Sequence, residues 1–424
     1  MRAAPLSPPE SVIRKAQHFE DRQYQFLTYV FGGGVKIREH EKHGDPITPV
    51  RVASIRGQLR FWWRACNPSC CETVAELRQH EGEIWGTTSR ASKVEITLLT
   101  KVSPPREVPV FEYSPAQRLV IRSGMREIAY GAFPLQPSRD EQRAGAKPWA
   151  LFDYGKTIFS LRFLYPKEYQ KDVQAALWAW ETFGGLGGRT RRGFGAIARV
   201  NAQSSVPVES ELARYRENPR IAGVPSLYKA RFAVASTSTS TPVESWKTGL
   251  GLLQRIRQGP GFGRNMSSPG SLKPAGRSRW PEPDEIRRLT RKSAPIHRKP
   301  EVAVSCFPRA VFGMPIVFHF HPGSTNEPGS AGDPDMKPLQ LQPVGFERYA
   351  SPLIIRPISD GTSFRASALV LSSDVPTAEL VADEASYSAA FTLNTNLARG
   401  IQPLNRDGRV FTDPLELFLS ELKK

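Results

Sequence analysis

Long apolar runs are missing from this 424-residue chain. No stretch approaches the ~20 consecutive apolar residues that a spanning helix needs, which argues against a helical membrane protein. The opening residues, MRAAPLSPPES, lack the apolar stretch of a secretory signal, so a soluble chain in the cytoplasm is expected. Cysteine is scarce, at four residues, which is too few for a disulfide framework and fits a reducing compartment. Cys66, Cys70 and Cys71 cluster near His80, but without the two-residue knuckle of a structural zinc site. No HExxH, nucleophile elbow or kinase signature occurs, and no acids pair in a persuasive catalytic constellation. Neither a metal nor a cofactor is expected. Acid is also short: 41 Asp and Glu stand against 58 Lys and Arg, a net charge of +17. That imbalance favours nucleic acid or another anionic surface as partner.

What the chain does have is a segment at 184–195 reading GGLGGRTRRGFG, with six glycines and three arginines in twelve positions. Glycine permits positive-φ turns and close backbone approach, and arginine matches phosphate. The segment follows the helical pattern KDVQAALWAWETF (171–183), whose Val173, Ala176, Leu177, Trp180 and Phe183 share one face, and it precedes the strand-like FGAIARV (194–200). A dinucleotide fingerprint or P-loop needs the reverse order, strand then helix, so mononucleotide binding is not expected. Backbone amides together with Arg189, Arg191 and Arg192 would instead grip a phosphate chain. A purely structural glycine-rich turn is the competing reading.

A second element is SIRGQLRFWWRAC (54–66). On a helix, Ile55, Leu59, Trp62 and Cys66 form one stripe, while Arg56, Arg60 and Arg64 form another with Trp63 beside it. Gly57 sits in the interior, where it costs about 1 kcal/mol relative to Ala, and so points to close approach by a ligand or a backbone. Arg51 and Lys36 extend the same surface. The expected phosphate-binding set is therefore Lys36, Arg51, Arg56, Arg60, Arg64, Gly184, Gly185, Gly187, Gly188, Arg189, Arg191 and Arg192.

Mixed strands and helices predict an α+β fold with antiparallel sheets. The length suits two domains, 1–205 and 206–424. Strands are expected at 24–33, 94–102, 227–236, 310–321 and 348–357. Asp413 and Pro414 open a final helix, and a short helix is expected over 283–291. Residues 251–300 hold twelve Lys and Arg against three acids and otherwise read as a loop-rich basic insert. NEPGSAGDPDMKP (326–338) reads as a loop, and His319 and His321 as packing residues on a strand.

Taken together, ITPVRVASIRGQLRFWWRA (47–65) and WETFGGLGGRTRRGFGAI (180–197) resemble the RAMP proteins of CRISPR systems, and within them the first subunits of type III-B Cmr effector complexes. GRSRWPEPDEIRR (276–288), PRAVFGMPIVF (308–318) and RYASPLIIRP (348–357) add to the resemblance. It implies two tandem ferredoxin-like domains, with the glycine-rich loop as part of the RAMP signature. It implies a non-catalytic, RNA-binding subunit near the 3′ end of a guide RNA, with guide RNA, target RNA and other Cmr subunits as partners. The acid that cuts the target belongs to a different subunit in that family. The alternative is a RAMP-type, metal-independent endoribonuclease that processes CRISPR precursor RNA, for which His40 or His43 would supply acid–base chemistry.

Overall fold

The computed structural model describes residues 17–32, 50–100, 102–103, 105–201, 208–266, 276–320, 332–335 and 337–424. Lys36, His40, His43 and His321 lie outside the described residues, as do 202–207 at the expected domain boundary and most of the 326–338 loop.

The N-terminal half builds one four-stranded sheet. Its strands are Gln17–Phe26, Glu95–Leu98, Ile158–Pro166 and Ile197–Arg199, and every neighbouring pair is antiparallel. The helix Val52–Cys66 follows the first strand, and the helix Gln170–Phe183 follows the third. Numbered along the chain, the spatial order is 2-3-1-4 with a βαββαβ connection, which is the ferredoxin-like arrangement. A second helix, Val74–Trp85, starts at Thr73, whose side chain accepts the backbone N–H of Glu76.

The C-terminal half repeats the opening of that pattern. Strand Ser226–Val234 leads into helix Pro242–Gln258, and strands Leu353–Ser359 and Phe364–Ser372 complete an antiparallel sheet in the order 2-3-1. The helix Pro414–Leu422 packs on it, with the Asp413 side chain accepting from Leu415 N–H as the sequence predicts. Between helix and second strand lies a long insert. It contains helix Glu282–Thr290 and part of a small sheet formed by Ile316–Val317, Leu339–Pro343, Ala378–Ala382 and Ala385–Ala389. Mixed helices and antiparallel sheets thus match the expected α+β class.

The helices Val52–Cys66 and Gln170–Phe183 are shared between the halves. Their buried faces join Tyr24, Phe159 and Phe163 of the first sheet to Leu227, Ile354, Leu369 and Leu371 of the second in one apolar core. Phe183 meets Phe232 edge-on at 5.7 Å. A second core gathers Leu253, Ile256, Ile355, Ala368 and Phe418. Gly249 is needed there because a Cβ would come within 2.6 Å of the Ile355 side chain.

Two expectations need correction. The basic stretch 251–300 does not start as a loop: the helix Pro242–Gln258 runs into it and carries Arg255 and Arg257 in its last turn, where cations suit the helix dipole. Of the expected strand over 310–321, residues 310–312 end a 3-10 turn, Pro308–Phe312, and among the described residues only Ile316–Val317 form a strand. Pro308 at the head of the turn and Gly313 at φ 112° break the extended path.

Candidate nucleic-acid interface

The helix Val52–Cys66 buries Ile55, Leu59, Trp62 and Cys66, the stripe expected from its spacing. It ends at Asn67, whose left-handed backbone returns its N–H to Trp63 O at 2.9 Å. Trp63 is also buried rather than displayed beside the arginines, and its indole N–H donates to Asp172 at 2.8 Å. The arginine stripe is partly neutralised from within. Arg60 Nε donates to Glu81 at 2.7 Å, and Arg64 pairs with the same carboxylate. Arg56 is half-buried, and its Nε has no hydrogen-bond partner; Arg51, also half-buried, precedes the helix. Gly57 is exposed, and a Cβ there would meet nothing within 4 Å, so among the described residues no backbone explains it.

The Gly-Arg segment is an ordered hairpin rather than a flexible clasp. Gly184 N–H closes the preceding helix onto Trp180 O at 2.8 Å. Leu186 N–H then bonds Gly195 O at 2.9 Å, Gly188 N–H bonds Phe31 O at 2.7 Å, and Gly195 N–H bonds Tyr29 O at 2.8 Å. Thr28 Oγ1 donates to Gly193 O at 2.6 Å and accepts from Ala196 N–H at 2.9 Å. Several amides that would have faced phosphate are therefore occupied inside the chain. Gly184 and Gly185 are buried, and Gly187 and Gly188 are exposed.

The three arginines divide. Arg191 donates to Ala350 O at 3.2 Å and to Ser351 O, and its guanidinium lies over the Phe61 ring at 5.5 Å. Arg192 donates to Leu353 O at 3.2 Å and to Phe312 O at 3.0 Å. Both therefore staple the N-terminal half onto the C-terminal half. Arg189, half-buried like the other two, is the one without a carbonyl partner among the described residues. It holds a left-handed backbone (φ 56°), its Nε has no hydrogen-bond partner, and it lies between the rings of Phe31 (5.8 Å) and Phe133 (5.0 Å). Phe133 is 58% exposed. The Phe61–Arg191 contact joins the two sequence motifs, so the structure does bring them together.

These cations crowd one another. Burial and then Arg348 pull the Arg189 guanidinium below its ordinary value, and burial lowers Arg191. Burial, followed by Arg257, Arg189 and Arg191, brings Arg192 down to about 9. Burial and Arg309 act in the same direction on Arg264. Arg257 links this row to Tyr130, whose hydroxyl accepts its Nη1 at 3.0 Å. A row of guanidiniums runs across both halves, and among the described residues Arg189, Arg191, Arg192 and Arg348 have no carboxylate in ion-pair range. Such a row makes this edge electropositive.

Arg356 is the structural residue that sequence reasoning missed. It is 4% exposed and donates to Ile197 O (2.7 Å), Glu181 O and Gly184 O (3.1 Å each) and Pro357 O (3.2 Å). Burial lowers it to about 9, so it stays charged at neutral pH and caps the last carbonyls of the helix Gln170–Phe183. Its one sequence signal is a charge inside the otherwise apolar LIIRPI.

Residues 23–198 match the model of the RAMP superfamily, a span that contains both motifs and the complete first sheet. That part of the chain is similar to the RAMP superfamily. It is 26% identical over 161 residues to the CRISPR system Cmr subunit Cmr1-1 of Pyrococcus furiosus, a stretch covering 37% of this chain and 42% of that relative's length. The apo crystal structure of Cmr1 from P. furiosus aligns over 91% of this chain and 96% of its own, at 16% identity and a TM-score of 0.47. A chain of the type III-B Cmr-beta complex bound to cognate target RNA aligns over 83% of this chain and 94% of its own, at 10% identity and a TM-score of 0.41. Among the described residues no helix is long and apolar enough to cross a membrane, and no group of three or more His, Cys, Asp or Glu is placed to hold a metal.

Proposed function

We propose that this protein is a non-catalytic, RNA-binding subunit of a type III-B CRISPR Cmr ribonucleoprotein, holding guide RNA near its 3′ end and helping to bind target RNA. The observation that carries the reading is the arginine row beside the glycine-rich loop, four of whose members face no carboxylate among the described residues. Arg189 and Arg348 would hold phosphates, with Arg51 and Arg56 as a second group on the helix Val52–Cys66. Phe133, exposed beside Arg189, would stack a base. Arg191, Arg192, Gly184 and Gly185 serve mainly to shape this edge. Contacts of this kind read charge and backbone shape, so binding is expected to be steep in salt and poorly selective for sequence. The two halves, 1–205 and 206–424, would act as one body across the shared helices.

The test is fluorescence anisotropy with a labelled 20-nucleotide single-stranded RNA over a salt series, comparing wild type with R189Q/R348Q. Removing two phosphate contacts lowers the log–log salt slope by about 1.4 and the affinity about tenfold at 0.15 M salt. An unchanged slope and affinity would sink the reading.

A further inference from the structure

A cavity of about 400 Å³ opens between the helix Glu282–Thr290 and the segment 293–305. This lies within the roughly 300–1,000 Å³ of small-molecule sites. Its inner wall is neutralised by internal pairs. Asp284 accepts from Arg277 Nη2 at 2.7 Å, from Arg287 Nη1 at 2.9 Å, and from the backbone N–H of Glu301 (2.7 Å) and Val302 (3.1 Å). Glu285 pairs with Arg288 at 2.6 Å. Asp333 accepts from Arg287 Nε (2.8 Å) and Nη2 (3.0 Å) and meets His297 Nδ1 at 2.6 Å.

That arrangement leaves specific groups over. Arg291 and Arg298 are exposed lining residues, and among the described residues neither side chain has a hydrogen bond or ion pair. Arg291 holds a left-handed backbone (φ 53°) just past the helix. The Asp333 contact fixes the orientation of the His297 ring through one nitrogen and leaves the second for another partner. Pro300, Val302 and Val304 supply apolar surface in the same cavity. Two unpaired cations, an oriented imidazole and an apolar wall are the parts needed to hold a phosphate with its attached sugar and base.

We propose that this cavity seats one splayed-out nucleotide of a single-stranded RNA. The phosphate lies on Arg291 and Arg298, the base rests against Pro300, Val302 and Val304, and His297 donates or accepts one hydrogen bond. The proposal rests on the RNA-binding reading but uses residues remote in sequence from the RAMP loop. The experiment uses the full chain and the same labelled RNA, with R291Q/R298Q beside R189Q/R348Q. Ultraviolet crosslinking followed by mass spectrometry of the peptides is the second readout. R291Q/R298Q is expected to lose about tenfold in affinity at 0.15 M salt and about 1.4 in slope, with an unaltered melting temperature. A nucleotide adduct is expected on the 287–305 region of the wild type and not of that variant. If R189Q/R348Q weakens binding while R291Q/R298Q matches wild type and no adduct forms on 287–305, the cavity proposal is overturned and the interface stands. If neither pair changes binding, the RNA-binding reading falls and the cavity proposal falls with it.

Discussion

Replacing Arg356 with Met tests the join between the two halves. The substitution keeps an unbranched apolar stem and removes the guanidinium. Three of its four acceptors, Glu181 O, Gly184 O and Ile197 O, belong to other elements and lose their charged donor. At about 1.5–3 kcal/mol for each hydrogen bond to a charged group, the gross loss is roughly 4.5–9 kcal/mol. Relieving the burial of a charge returns several kcal/mol. The expected net loss is about 3 kcal/mol, the low end of what breaking a buried ionic contact costs. Urea unfolding followed by tryptophan fluorescence reads it directly, since Trp62 and Trp180 lie against Gly184. R348M, at an exposed position, is the control and should stay within about 0.5 kcal/mol of wild type. If R356M unfolds within 1 kcal/mol of wild type, the carbonyl staple does not hold the halves together and the reasoning fails.

Gly57→Ala should raise stability by about 1 kcal/mol, because the site is a helix interior with open space where the Cβ goes. RNA affinity should fall in the same variant if RNA passes that face; a stabilised variant with unchanged affinity takes the face out of the interface. Asp333 gives a pH prediction. Burial acts to raise its carboxyl, but hydrogen bonds from Arg287, Ala294 N–H and His297 outweigh it and bring it from 3.8 to about 2. A depressed acid contributes stability that is present above the unfolded value and is lost as pH falls through the folded one. Wild type should therefore lose roughly 1 kcal/mol more than D333N between pH 4 and pH 2, after allowing for solvent screening of the network. Chemical denaturation at a series of pH values checks it, and parallel curves for the two proteins would refute it.

Elements with strong local signals were legible in the sequence. The helix Gln170–Phe183 announced itself by its apolar stripe, and Pro414–Leu422 by Asp413 and Pro414 at its start. The helix Pro242–Gln258 was not among the expected elements, although Thr241 and Pro242 mark its start: Thr241 accepts from Glu244 N–H, and Pro242 opens the first turn. The dense glycine, proline and charge that follow masked it. Side-chain roles were less legible, because a donor shows its type in sequence and not its acceptor. Arg60 and Arg64 look free on a helical wheel, and Glu81, on the next helix, removes much of their charge. Arg192 and Arg356 bond carbonyls more than a hundred residues away, and no spacing rule reaches that far. The basic insert looked like an excess of nine positive charges, yet Asp284, Glu285 and Asp333 take several of its arginines into internal pairs.

The glycine-rich signature changes meaning in the same way. A Cβ at Gly185 would meet Gly195 O at 2.5 Å, one at Gly193 would meet Ile355 O at 2.6 Å, and one at Gly195 would collide with Leu186 O. Gly193 and Gly195 also hold positive φ. Packing alone thus requires glycine at these three positions, with no RNA present. The arginines divide in a similar way: Arg191 and Arg192 hold carbonyls of the other half, and Arg189 holds none among the described residues. Replacing all three together would remove the staples to 312 and 350–353 along with the proposed phosphate contact, so lost RNA binding in that variant would not distinguish a binding defect from a loosened join. Arg189 is the member of the signature whose removal separates the two, because its guanidinium rests on exposed Phe133 and holds no carbonyl of the other half among the described residues. In this chain the glycine-rich segment is first a device for bringing strand, helix and second sheet into contact, and the proposed RNA surface is the edge which that contact leaves outside.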